Sequence, residues 1–143
     1  MEFLISTHAR TFKVGVNPSS LTETSFQLID TGPAYGIGLL DTNVVLYSNG
    51  AVKFLRWSGG TLELGNPNLS VLASIQDIDL DDVHQITLTQ RGMYVANTGL
   101  NSLVFVDADS GDINEYMFGG TRVDENHINS VERVRDDLVA VLL

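Results

Sequence analysis

Three histidines, no cysteine and one tryptophan leave this chain few side chains able to attack, ligate or shuttle protons. Two of the histidines share an acidic lead. Asp82-Val83-His84 and Glu125-Asn126-His127 place them forty-three residues apart. Neutral imidazole is a good ligand for zinc, copper or nickel. His84 and His127 are therefore the candidate metal ligands, with zinc or calcium as the divalent ion in question and no other cofactor expected. Asn129, two residues past His127, is a candidate oxygen donor, since amide and carboxylate oxygens suit calcium. Tyr35 stands at about the matching place earlier in the chain, so a ring of histidines would be incomplete. The competing reading needs no ligand: paired histidines that hydrogen-bond neighbouring strands.

The remaining polar clusters read as turns. Asn49 and Asn97 sit where the chain reverses, and a turn asparagine needs no ligand to explain it; Asn101 belongs with them. Asp77, Asp79 and Asp81 alternate with apolar residues and share one face of an extended segment. Asp107-Ala108-Asp109-Ser110-Gly111-Asp112 partly imitates a calcium loop. It lacks the glycine and distal glutamate at the required spacing, and no helices flank it, so it reads as a solvated turn. No Gly-x-Ser-x-Gly elbow occurs, and Gly36-Ile37-Gly38 runs into Leu39-Leu40-Asp41 without the third glycine of a dinucleotide fingerprint. Tyr47, Phe54 and Trp57 read as core aromatics, with Trp57 beside Ser58-Gly59-Gly60 as an alternative exposed platform. Without cysteine there is no thiol nucleophile, thiolate zinc site or disulfide framework.

Charge excludes whole classes of partner. Eighteen acidic residues oppose eight basic ones, a formal net charge of −10. Nucleic acids and anionic membranes are bound through clustered Lys and Arg, so neither is an expected partner. The 143 residues suit one domain that buries its own core. Near the N-terminus the apolar Phe3-Leu4-Ile5 precedes His8, Arg10 and Lys13, the reverse of a secretory signal. No window approaches the roughly 18 apolar residues of a membrane-spanning helix. The expected location is cytoplasmic.

The elements that must position these residues are strands. Ile86 to Leu88, Met93 to Ala96 and Leu103 to Val106 are brief apolar runs cut by turn chemistry at Asn49-Gly50, Ser58-Gly59-Gly60, Asn97-Thr98-Gly99, Asp109-Ser110-Gly111 and Gly119-Gly120. Val131 to Leu138 has no capping box and fits two strands around an Arg135-Asp136-Asp137 turn. Three segments repeat an apolar strand, a polar turn and a second apolar strand. They are Tyr94-Val95-Ala96-Asn97 to Asp107, Val45-Leu46-Tyr47-Ser48-Asn49 to Arg56, and more faintly Phe3 to Gly15. A period of about 40–50 residues with four short strands marks β-propeller blades. One longer interval is accommodated by an insertion at Gly65 to Asn68.

Met93-Tyr94-Val95-Ala96-Asn97-Thr98-Gly99-Leu100-Asn101-Ser102-Leu103-Val104-Phe105-Val106-Asp107 resembles the second-to-third strand hairpin of YVTN and NHL-type propeller blades. Asp107 to Ile113 resembles the turn that follows it. The resemblance covers Asp82 to Thr121 well and Tyr35 to Asp77 loosely. It implies an all-β propeller of about three four-stranded blades per chain: a partial blade over 1–34, blades over 35–81 and 82–124, and a partial blade over 125–143. It also implies a homodimer closing a six-bladed ring, because an open half-propeller exposes strand edges and apolar faces. His84, His127, Asn129 and Tyr35 would then lie at one mouth of the central channel. Two functions follow from that placement. One is a binding or scaffold module for a small molecule, glycan or protein. The other is a metal-dependent hydrolase or lyase with its site on the axis, as in some NHL-type lyases and lactonase-like propellers.

Overall fold

The computed structural model describes residues 1–58, 61–64, 78–135 and 138–143. The expected turns at Gly59-Gly60 and Asp136-Asp137, the insertion at 65–68, and Asp77 lie outside them. The described residues form thirteen strands, one 3-10 turn over Thr98–Leu100 and no α-helix. Among them, no helix is long and apolar enough to cross a membrane. The chain is all-β.

The strands form four antiparallel meanders in chain order. Strands β1 (Glu2–Ser6), β2 (Arg10–Val16) and β3 (Glu23–Thr31) make the first. Strands β4 (Ala34–Leu40), β5 (Asn43–Ser48), β6 (Ala51–Ser58) and β7 (Thr61–Leu64) make the second. Strands β8 (Val83–Thr89), β9 (Gly92–Asn97), β10 (Ser102–Asp107) and β11 (Ile113–Met117) make the third. The last is the hairpin of β12 (Ser130–Arg135) and β13 (Leu138–Leu142), so Val131 to Leu138 does form two strands. The β5–β6 turn is built as its sequence dictates, with both Asn49 and Gly50 at positive φ. In the 3-10 turn the left-handed residue is Asn101, at φ 54°. Asn97, expected as the turn residue, is fully buried instead.

Strand composition follows from packing on two sides. On β9 and β10, Met93, Val95, Val104 and Val106 pack with Val83 and Ile86 of β8 and meet Val45 and Tyr47 of the second sheet. The alternate residues Ala96 and Leu103 face the last hairpin and pack with Ile128 and Val131, flanked by Tyr94, Val139 and Val141. A strand buried on both faces reads as a continuous apolar run, because alternation survives only where one face meets water. Tyr47 and Phe54 belong to this core, as expected. The Tyr47 hydroxyl donates to Leu80 O at 3.1 Å, and burial followed by the charges of Asp81, Asp82 and Asp79 pushes its phenol above the ordinary range.

Strands β4, β8 and β12, each the first of its sheet, lie side by side, with β1 against β4. Ala34, Gly36 and Gly38 fall on the buried face of β4, and a Cβ at Gly36 or Gly38 would stand 2.9 Å from a Val83 or Ile86 side-chain carbon. The Gly-Ile-Gly sequence thus serves close strand approach. Lys53 on β6 and Asp30 on β3 join the first two sheets by an ion pair at 2.5 Å. Burial alone would raise the Asp30 carboxyl, but hydrogen bonds led by Lys53, with the Thr31 N–H among them, outweigh it and hold the group below the ordinary carboxylate range. A carboxyl depressed in the folded state stabilises the protein above its unfolded pKa, and that contribution is lost as pH falls through the folded value. Denaturant unfolding between pH 6 and pH 3 is expected to show Asp30→Asn about 1 kcal/mol less stable at pH 6, with the gap closing toward pH 3. A pH-independent gap would exclude the linkage.

Candidate functional site

The sheets, neighbours in chain order, bring four rings into one row. Tyr35 and His84 are each the second residue of their strands, β4 and β8, and their rings stack with centroids 5.9 Å apart. His127, three residues before β12, meets His84 edge to face at 4.9 Å. His8, in the β1–β2 turn, meets Tyr35 edge to face at 5.0 Å, and its Nδ1 is hydrogen-bonded to the Tyr35 hydroxyl. The row His8–Tyr35–His84–His127 therefore takes one ring from each successive sheet or from the segment leading into it.

Local chemistry holds each ring. The His84 Nε2 lies 3.3 Å from Asp82 Oδ2, and the His127 Nδ1 lies 2.8 Å from Asp124 Oδ2. Asp82 and His127 both adopt left-handed backbone, φ 45° and 48°, which costs a non-glycine residue about 1 kcal/mol and tends to gather at binding sites. His84 is partly covered and His127 half exposed. Just past the row, a groove of about 470 Å³ runs along β4, β8 and β12, lined by Leu39, Gln85, Thr87, Glu132 and Arg133 among others. The Thr87 hydroxyl donates to Val131 O and ties β8 to β12.

Tyr35, His84 and His127 are thus brought together, while Asn129 does something different. It is exposed one residue before β12, where its backbone N–H donates to Leu142 O at 2.9 Å. His8 was missed, although the faint N-terminal repeat contains it. It follows a strand, whereas Tyr35 and His84 open theirs, so matching strand-opening positions passes over it. Each imidazole already spends one nitrogen on Tyr35, Asp82 or Asp124, and His84 meets His127 edge to face. Among the described residues no three His, Cys, Asp or Glu side chains gather as a metal site.

The other polar residues are used locally. Asp107 Oδ1 accepts from the backbone N–H groups of Asp109 and Ser110, both at 2.9 Å. Those bonds, Ser110 N–H first, hold its carboxyl below the ordinary range and account for the loop as a local turn. Asn49 donates to Thr31 O at 2.7 Å, and Asn101 accepts from Asn126 at 3.0 Å. An aromatic and imidazole row beside a polar groove can stack the flat face of a ligand while its edges are hydrogen-bonded. Set against protein-family models, curated proteins and solved structures, the chain matches none.

Proposed function

We propose that this protein is a propeller-type binding module whose ligand site is the row His8–Tyr35–His84–His127 at the mouth of a central channel. The observation that carries this reading is the row itself, with rings from four successive sheet segments at one end of the inner strands. The ligand is a small molecule or glycan with a flat apolar face and polar edges, matched to stacked rings and hydrogen-bonding nitrogens. The resemblance to YVTN and NHL-type blades agrees with it. Four sheets in chain order, with β4, β8 and β12 innermost, are the arrangement such blades would take.

Closure by a second copy belongs to the same reading. The outward face of the first sheet exposes Phe3, Ile5, Phe26 and Leu28, and the outward face of the last hairpin exposes Val134, Leu138 and Leu142. Covering one apolar end with the other from a second chain removes both from water and closes a ring. Two copies supply enough strands for six four-stranded blades, with one strand over at each seam.

Mass photometry is expected to find a particle of twice 15.6 kDa. A titration of that particle with a panel of mono- and oligosaccharides and nucleosides, followed by the imidazole proton resonances, is expected to move the His8, His84 and His127 signals together. Tyr35→Ala and His84→Ala should weaken that binding by about tenfold each. A monodisperse monomer would overturn closure, and rings that no compound perturbs would overturn the site. Stoichiometric zinc or calcium that disappears in His84→Ala would replace the binding module with a metal-dependent hydrolase or lyase.

A further inference from the structure

Away from the aromatic row, the first two sheets leave a gap between them. A cavity of about 350 Å³ lies there, lined by the β3 run Gln27 to Asp30, by Leu46 of β5 and by Lys53 and Leu55 of β6. Its lining is of two kinds. Ile29, Leu46 and Leu55 are apolar, while Asp30 Oδ2 and Lys53 Nζ meet at 2.5 Å. No other charged residue stands among the described lining, so the cavity carries one charge of each sign.

Strand pairing explains these contents. Leu46 and Lys53 are direct cross-strand partners and Leu55 follows two residues on, so all three share the face of the second sheet opposite Val45, Tyr47 and Phe54. That opposite face is packed into the core with the third sheet, whereas the Lys53 face meets β3. On β3 a bulge sets Asp30 opposite Thr11 but Leu28 opposite Phe12, with Ile29 as the extra residue. A bulge bends its strand and re-aims side chains, and bulges gather beside functional sites. Leu46 is fully buried, and Ile29 and Leu55 are partly buried. The ion pair keeps spare bonding capacity. Thr31 N–H donates to Asp30 Oδ1 at 3.0 Å, Lys53 donates to Oδ2, and the buried Ser48 hydroxyl also helps hold the carboxylate, which offers about four acceptor sites. The Lys53 ammonium has three donors, and the bond to Asp30 is the one it makes among the described residues. Both side chains stay partly open to solvent, 32% for Lys53 and 19% for Asp30.

We infer that this cavity binds a zwitterion with an apolar tail, an α-amino acid such as leucine or phenylalanine, with its charged groups on Asp30 and Lys53 and its side chain against Ile29, Leu46 and Leu55. An anion alone would compete with Asp30 for Lys53, and a cation alone would compete with Lys53 for Asp30. Either would break the pair. An α-carboxylate and an α-ammonium arrive together, so the ligand adds to the pair and completes a ring of four alternating charges joined by charge-assisted hydrogen bonds. The volume lies at the lower end of the range for small-molecule sites, which suits a single amino acid. The site uses no residue of the aromatic row, so the two can be tested apart.

Isothermal titration calorimetry at low salt tests it, with L-leucine and L-phenylalanine as probes. Each is compared with its analogue lacking the ammonium (isocaproate, hydrocinnamate) and its analogue lacking the carboxylate (isoamylamine, phenethylamine). At least one amino acid is expected to bind saturably with a Kd below about 1 mM, and both of its analogues about tenfold more weakly. Lys53→Met and Asp30→Asn should each weaken that binding by about tenfold, and Arg56→Gln, on the other face of β6, should leave it within about twofold. In the unsubstituted protein the bound amino acid should shift the Leu46 and Leu55 methyl resonances and leave the His84 imidazole unmoved, a readout that needs no variant to fold. The proposal falls if neither amino acid saturates by about 10 mM, or if an analogue binds as tightly as its parent. It falls equally if the resonances that move are those of His84 rather than of Leu46 and Leu55.

Discussion

Gly38→Val is expected to destabilise the protein by about 3 kcal/mol and lower its melting temperature by roughly 10 °C. The glycine lies on the buried face of β4 where that strand runs against β8. An added Cβ would stand 2.9 Å from Ile86 Cγ2, 3.0 Å from Ile86 O and 3.2 Å from Leu88 Cγ. One of those neighbours is backbone, which cannot swing aside as a side-chain tip would. Valine adds two further methyl groups to a space that rejects the first, so β4 must move off β8. Tyr35 travels with β4, and its stacking on His84 should weaken along with the fold. Gly120→Ala, where nothing lies within 4 Å of the added atom, is the control and should be close to neutral. Thermal unfolding followed by circular dichroism reads both. A Gly38→Val protein melting within about 2 °C of its parent would show that β4 and β8 are not packed this closely.

Asn97→Ala is expected to cost about 3 kcal/mol, although asparagine at the end of a hairpin strand looks like an ordinary turn residue. Its side chain is fully buried and satisfied at both ends. The carbonyl accepts from Asp81 N at 2.8 Å, and the amide donates to Asp79 O at 3.0 Å and to Ser102 Oγ at 3.2 Å. The Ser102 hydroxyl donates in turn to Glu115 Oε1 at 2.7 Å. Alanine leaves a backbone donor and a backbone acceptor without these bonds, each a loss of about 1–3 kcal/mol when water cannot replace it. Asn97→Asp keeps the acceptor but can no longer donate to Asp79 O, so it should be no better. The segment pinned by Asn97 leads directly into Asp82 and His84. The substitution should therefore also broaden the His84 resonance. Urea unfolding that places either variant within about 1 kcal/mol of the parent would reduce Asn97 to the turn role its position suggests.

Much of the fold is legible in the order of residues. Short apolar runs, the Asn49-Gly50 turn and the acidic breaks locate the strands, because strand formation and reversal depend on neighbours in the chain. The Val131 to Leu138 segment was readable for the same reason, since its apolar positions alternate on either side of a turn. The shared lead before His84 and His127 also carries through to space, where repeated strands stack in sequence order and put equivalent positions side by side. That logic reaches Tyr35 and His84 directly. It fails for His8, which lies in the turn after a strand, and for Asn129, whose backbone rather than its side chain is engaged.

What the order of residues cannot express is which distant face each strand is pressed against. Gly36-Ile37-Gly38 resembles a truncated phosphate fingerprint until Ile86 and Leu88 are seen occupying the space where side chains would go. The eight basic residues look scattered along an acidic chain, yet Lys53 meets Asp30 beside one cavity because the first two sheets stack. Sequence alone determined the all-β character, the placement of most strands and turns, and the excess of negative charge, all of which are sums over local chemistry. Only the tertiary structure decided the aromatic row, the buried task of Asn97 and the cavity at Asp30 and Lys53. Each of those depends on contacts between segments 16 to 49 residues apart, which packing of the sheets brings together and local propensity does not specify.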